Sequence, residues 1–186
     1  MSARIVHLLR HGPPLHSGLL LGHTDMPALN SDCPQMRARV EHLRIDQVVA
    51  SDLTRAAEQA KILADHFQVP LTLDANWREL SFGAWDGLAA QTINQAALTA
   101  FWDDPDAAPP SQGERWSDLR TRVSVALDAL ATDTLVVAHG GAMRAAVSVL
   151  TGLDHRGVWA IDLPYRGLLS LCIWKDGSGQ VTGLRT

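Results

Sequence analysis

Hydrophobic positions along the chain recur with two different periods. Short, mainly apolar runs predict buried strands over Ile5–Leu9, Gln47–Ala50, Leu71–Leu73, Leu135–Ala138 and Leu168–Trp174. Apolar residues three and four positions apart predict amphipathic helices over about 34–43, 53–67, 88–102, 116–130 and 142–150. After a glycine-containing turn, Gln180–Leu184 is expected to pair with the preceding strand as a hairpin. Because strands alternate with helices, we predict an α/β fold: a three-layer α/β/α sandwich with a mostly parallel central sheet.

Polar residues ahead of the first two helices predict their N-caps. Ser31 or Asp32 is expected to cap the helix that carries Pro34 in its first turn, and Asp52 to cap the next one. We predict a single domain over 1–186 with a helical, cap-like insertion around 76–113 that covers one end of the sheet.

Composition narrows the classes of partner. The chain has 186 residues, which fits one domain with a sizeable core, and its formal net charge of −4 offers no broad field for nucleic acid. No apolar run approaches the length of a membrane span, and the N-terminus does not resemble a signal peptide. We therefore expect a cytoplasmic protein without nucleic-acid or membrane partners, either a monomer or a homodimer.

Cations and imidazoles follow three of the predicted strands. Arg10 and His11 come directly after the first strand, Arg55 lies in the first turn of the helix after the second, and His139 and Gly140 follow the fourth. In open α/β sheets, ligands bind beyond the carboxyl ends of the strands. Arginine matches phosphate oxygens in bidentate fashion, histidine acts as a nucleophile or proton carrier near neutral pH, and a helix N-terminus favours an anion. The sequence therefore predicts a phosphate site at this edge.

Other interpretations of these residues are less favoured. In one, the histidines are ordinary turn residues and the helix arginine pairs with Glu58, but three strand ends carrying such groups favour a shared site. Cys33 and Arg39 have the spacing of cysteine phosphatases, yet they lack a preceding strand and a glycine-rich phosphate loop. His16 and His23 have few carboxylate partners at ligand spacing, so we predict neither a metal site nor a cofactor.

Four segments of the chain resemble, in order, the four motifs of the histidine phosphatase superfamily, in its phosphoglycerate-mutase-like branch. The segments are Leu9–Gly12, Ser51–Ala56, Glu79–Gly87 and Val137–Gly141. The resemblance covers residues 4 to about 150 and implies a phosphoglycerate-mutase-like fold. The short chain and the Phe-Gly-x-Trp-Asp-Gly segment are similar to the phosphatases of this branch, including α-ribazole phosphatase.

The resemblance implies a role for each candidate residue. His11 is the implied nucleophile, which becomes phosphohistidine, and Glu79 is the implied acid that protonates the leaving oxygen and later activates water. An alternative for Glu79 is a surface ion pair with Arg78. The residues implied to hold the phosphoryl oxygens are Arg10, Arg55, His139 and Gly140. Such a set of cationic donors provides charge stabilisation without a metal.

The segments that border the substrate in this family depart from its pattern. Pro13-Pro14 and His16-Ser17 stand where Glu-Thr and Asn are frequent, and Leu19–Leu21 stand where an Arg is often found. Gly113-Glu114-Arg115 replaces a frequent Gly-Glu-Ser. The chemistry is therefore expected to carry over better than the specificity, and the three leucines belong either to the core or to an apolar pocket wall.

We expect a metal-independent phosphomonoesterase that hydrolyses a small phosphorylated metabolite, with α-ribazole 5′-phosphate as one candidate substrate. The alternatives are phosphoryl transfer of the phosphoglycerate mutase type and a non-catalytic protein that binds a phosphorylated ligand. Release of free phosphate, positional transfer and binding without turnover distinguish the three.

Overall fold

The computed structural model describes residues 3–186 as one six-stranded sheet with helices on both faces. The strands are β1 (Arg4–Arg10), β2 (Gln47–Ala50), β3 (Leu71–Leu73), β4 (Thr134–Ala138), β5 (Leu168–Ile173) and β6 (Gly179–Arg185). The helices are α1 (Pro34–Val40), α2 (Thr54–Phe67), α3 (Gln95–Asp103), α4 (Trp116–Asp128), α5 (Gly140–Thr151) and α6 (His155–Trp159). Within the described residues, no helix is long and apolar enough to cross a membrane.

The strand order is β3-β2-β4-β1-β5-β6. The first four of these strands are parallel, whereas β5 runs antiparallel to β1 and β6 antiparallel to β5. The predicted α/β sandwich with a mostly parallel sheet is therefore confirmed, as is the C-terminal hairpin. Because β2, β4 and β1 are parallel neighbours, their carboxyl ends lie side by side at one edge.

Alternate residues of the central strands face opposite helical layers. In β4, Leu135 and Val137 pack with α1 and α2, while Val136 and Ala138 pack with α4 and α5. Every residue of β4 is buried, because both faces of the sheet are covered. The strands that deliver the site residues are thus held from both sides.

The predicted cap of α1 is wrong. Its N-cap residue is Cys33, whose side chain makes no capping hydrogen bond. Ser31 instead donates to Glu58 at 2.6 Å, and Asp32 accepts two hydrogen bonds from Arg37. Proline at the helix start already lacks one of the N–H groups that a cap would satisfy, so these side chains are free to take other partners.

The predicted cap of α2 is also wrong. The N-cap is Leu53, and Asp52 forms a bidentate ion pair with Arg78, with N···O distances of 2.7 and 2.5 Å. The carboxylate at the start of α2 comes from Asp25, which accepts from both the backbone N–H and the hydroxyl of Thr54 at 2.8 and 2.7 Å. A residue from a distant loop therefore satisfies the helix end.

The predicted helix over 88–102 begins seven residues late. Leu88 accepts a hydrogen bond from the backbone N–H of Leu20 at 2.8 Å, and a short 3₁₀ turn follows at Ala90–Thr92. The helix starts only after Asn94, whose side chain accepts from Ala97 N–H at 3.0 Å. Backbone pairing with the loop after β1 thus replaces the first part of the predicted helix.

Candidate active site

A pocket of about 190 Å³ opens at the carboxyl edge of the sheet. Arg10 ends β1 and His11 follows it, Arg55 is the second residue of α2, and His139 lies between β4 and α5. Strand order brings these residues together, and Glu79 reaches the same pocket from the segment after β3. Apart from His139, which lies behind the pocket against Arg55 and His11, all of them line it.

The hydrogen bond of His11 defines its tautomer. The ring is buried, and Nδ1 lies 2.6 Å from the carbonyl oxygen of Gly12, which can only accept. Nδ1 therefore carries the proton, and Nε2 keeps a free lone pair. Burial, followed by the charge of Arg55, lowers the pKa of His11 from 6.5 to about 3, so the ring is neutral at physiological pH.

His139 has the opposite tautomer. Nε of Arg55 donates to Nδ1 of His139 at 3.2 Å, so the proton of the neutral ring is on Nε2. Within residues 3–186, this buried Nε2 has no hydrogen-bond partner. Burial, reinforced by His11, Arg55 and Arg10, lowers the pKa of His139 well below its usual value. The two rings are 4.9 Å apart, with one proton donor and one lone pair between them.

Arg10 is held on two sides. Its Nη1 donates to the carbonyl of Leu163 at 2.6 Å, and its Cζ lies 4.1 Å from the centre of the Tyr165 ring. A Cβ on Gly140 would lie 3.3 Å from Cζ of Arg10 and 3.1 Å from Nη1 of Arg144. Two guanidinium groups therefore converge on the bare backbone at the N-terminus of α5, where an anion is favoured.

Glu79 rests against the first turn of α5. Its Oε2 accepts from Gly141 N–H at 3.1 Å and its Oε1 from Leu80 N–H at 2.8 Å. It does not pair with Arg78, whose partner is Asp52. A Cβ on Gly141 would overlap Oε1, so glycine is required for the carboxyl group to occupy this position.

The Leu19–Leu21 segment forms part of the pocket wall, and Leu20 also packs against the core. Most of the remaining wall comes from aromatic and other apolar side chains. They include Phe82, Phe101, Trp102, Trp116, Trp159 and Tyr165. The side of the pocket available to a leaving group is thus largely apolar.

Several residues at the site are absent from the sequence prediction. Buried Gln59, one turn after Arg55, accepts from the backbone N–H of Gly12 at 2.9 Å. Arg122 donates to the backbone carbonyl of Glu79 at 2.8 Å. Helical spacing provides a signal for Gln59, and also for Arg144, which lies four residues after Gly140. Nothing in the local sequence indicates Arg122 or Tyr165.

Other candidates stay outside the cluster. Sγ of buried Cys33 donates to Gln35, and Arg39 donates to the carbonyl of Arg166, so neither takes part in a phosphate loop. His16 is exposed, whereas Nε2 of His23 contacts the carbonyl of Glu79 at 3.0 Å. In the part of the chain that the structure describes, no three side chains of metal-ligating type form a group that could hold an ion.

The fold and the edge cluster together define an α/β protein built to bind a phosphate group at its strand ends. The profile of the Histidine phosphatase superfamily (branch 1) matches residues 6–185, so the chain belongs to this superfamily and is an enzyme of the histidine phosphatase type.

Three similar proteins illustrate the range of this superfamily. "Probable phosphoglycerate mutase GpmB" of Erwinia tasmaniensis is 32% identical over 163 residues, which cover 80% of this chain and 75% of that protein. The structure of mycobacterial glucosyl-3-phosphoglycerate phosphatase matches with a TM-score of 0.85 at 22% identity, covering 97% and 98% of the two chains. The α-ribazole phosphatase of Shigella flexneri matches at 0.82 and 21%, covering 98% and 96%. At these identities the two structures show the shared fold.

Proposed function

We propose that this protein is a metal-independent phosphomonoesterase that works through a phosphohistidine at His11. The observation that carries the proposal is the pair of opposite tautomers in the site. Nε2 of neutral His11 has a lone pair for attack on phosphorus, while Nε2 of His139 presents a proton to a phosphoryl oxygen. A phosphate ester between the two rings meets a nucleophile and a donor without rearrangement.

The first step forms the bond between Nε2 of His11 and phosphorus and breaks the bond between phosphorus and the ester oxygen. Glu79 gives its proton to the departing oxygen, which leaves as an alcohol. Arg10, His139 and the amide end of α5 stabilise the charge on the phosphoryl oxygens. Arg55, which also lines the pocket, contributes its cationic charge there.

The second step returns the enzyme to its initial state. The Glu79 carboxylate takes a proton from water, and the oxygen of that water forms a bond to phosphorus. The bond between phosphorus and Nε2 breaks, inorganic phosphate leaves, and His11 is neutral again. One carboxyl group thus serves as acid in the first step and as base in the second.

The apolar lining supports an ester whose alcohol portion bears a ring or another apolar group. α-Ribazole 5′-phosphate, with its aromatic base, is our candidate substrate, and the structural similarity to an α-ribazole phosphatase agrees with it. The lining gives less support to mutase-type transfer, which requires the site to retain a small hydroxy acid between two transfers.

Trapping of the phosphoenzyme tests the mechanism. Wild-type protein quenched in alkaline detergent after mixing with ³²P-labelled ester should carry acid-labile, base-stable label, and His11→Ala should carry none and release no phosphate. Wild-type turnover without label, or substantial turnover by folded His11→Ala, would contradict the proposal. A parallel assay with α-ribazole 5′-phosphate and 3-phosphoglycerate separates phosphate release from positional transfer.

A further inference from the structure

The carboxylate of Asp86 is surrounded by backbone N–H groups from one distant turn. It accepts from Gly22 at 3.1 Å, from His23 at 2.6 Å and from Thr24 at 3.3 Å. A Cβ on Gly22 would lie 2.5 Å from the carbonyl oxygen of Leu80 and 2.7 Å from Oδ2 of Asp86. The turn is therefore pressed against the segment that carries Asp86, and the carboxylate fixes its backbone.

The carbonyl groups of the same turn hold Arg55. Nη1 of Arg55 donates to Thr24 O at 2.9 Å, and Nη2 donates to Gly22 O at 2.7 Å and to Leu21 O at 3.2 Å. Nε donates to His139 at 3.2 Å. Four of the five N–H groups of this guanidinium thus have protein partners, and its orientation follows the position of the turn.

We infer that Asp86 is a positioning residue for catalysis, which acts on His139 through the 22–24 turn and Arg55. Asp86 fixes the turn, the turn carbonyls orient the guanidinium, and the guanidinium holds His139 as the tautomer with its proton on Nε2. Asp86 does not line the pocket, and its oxygens are occupied as acceptors, so it does not act as the acid itself. The effect on rate rests on the proposed function, whereas the tautomer of His139 does not.

Asp86→Asn tests the inference with little change in shape. One oxygen becomes an NH₂ group, which faces backbone N–H donors and cannot accept from them. The matched control is Asp133→Asn. Asp133 is also partly buried and accepts from a backbone N–H, that of Ile5 at 2.7 Å, but it lies at the opposite edge of the sheet.

We expect Asp86→Asn to slow single-turnover phosphorylation by on the order of 10- to 100-fold, while Asp133→Asn leaves the rate unchanged. In an Arg55→Gln background, Asp86→Asn should add little further loss, because both changes break the same chain of contacts. Equal rates for the two aspartate variants, or losses that combine independently with Arg55→Gln, would overturn the inference.

Side-chain ¹⁵N NMR of His139 provides a readout that does not depend on turnover. Wild-type protein should show Nδ1 unprotonated and Nε2 protonated, and Asp86→Asn should show a mixture of tautomers. If Asp86→Asn does not fold, Arg55→Lys tests the same link, because lysine keeps the charge but cannot reach His139 and three carbonyls together. An unchanged tautomer in the folded variant would overturn the inference, whereas wild-type protein without turnover would refute only the proposed function.

Discussion

Gly141→Ala separates the stability of α5 from the position of Glu79. Gly141 is the second residue of α5, and its backbone conformation suits any L-residue. Alanine is favoured over glycine in helices by up to about 1 kcal/mol. The new Cβ, however, would overlap Oε1 of Glu79, so the carboxyl group has to retreat by roughly 1 Å, a displacement large enough to cost about 100-fold in rate. We therefore expect a protein at least as stable as wild type but with an impaired acid.

The loss should depend on the leaving group. An alkyl phosphate leaves as a basic alkoxide and needs the proton from Glu79, so its phosphorylation step should slow by on the order of 100-fold. p-Nitrophenyl phosphate leaves as a stable anion, so the same step should change much less. Rapid-quench measurement of a single turnover with both esters isolates this step.

Two variants control the experiment. Glu79→Gln should show the same dependence on the leaving group, and the double variant should lose little more than either single one. Gly183→Ala, where a Cβ would meet its nearest atom at 3.8 Å, should leave both rates unchanged. A folded Gly141→Ala protein with the wild-type rate on the alkyl ester, or with equal losses on both esters, would refute the role assigned to Glu79.

Two further predictions concern metals and pH. Because Arg10, His139 and the α5 N-terminus already supply positive charge, EDTA should leave the rate unchanged and vanadate should inhibit competitively; loss of activity restored by magnesium or zinc would contradict this. Since the folded-state pKa of His11 is about 3 and its ordinary value is 6.5, the unfolded chain binds more protons between these values. The free energy of unfolding should therefore be highest above pH 6.5 and fall as the pH drops towards 3, and urea titrations should show a shallower fall for His11→Gln, with equal slopes refuting the assignment.

Local pattern was sufficient for the sheet and for the residues at its strand ends. Apolar runs such as Leu135–Ala138 are legible because a strand buried on both faces needs apolar residues at every position. Once the strands are taken as parallel, their carboxyl ends must share an edge, so Arg10, His11, Arg55 and His139 can be expected to meet. The spacing of these residues within the chain carries that information.

The capping and orienting partners could not be predicted in this way. Asp25 caps a helix that begins 29 residues later, and the carbonyl that holds Arg10 belongs to Leu163, 153 residues away. Asp52, next to the same helix, takes Arg78 as its partner because the fold brings that guanidinium within reach. Such pairings depend on which loops approach one another, and no local period encodes this.

The sequence by itself thus determined the α/β class, the edge of the sheet at which the chemistry lies, and the types of side chain gathered there, because periodicity and strand direction are properties of short segments. Only the tertiary structure decided the protonated nitrogen of each histidine, the contact of Glu79 with Gly141 and the apolar wall beside the phosphate site. Each of these depends on hydrogen-bond geometry and packing between segments far apart in the chain, and these take definite values only when the whole core has formed.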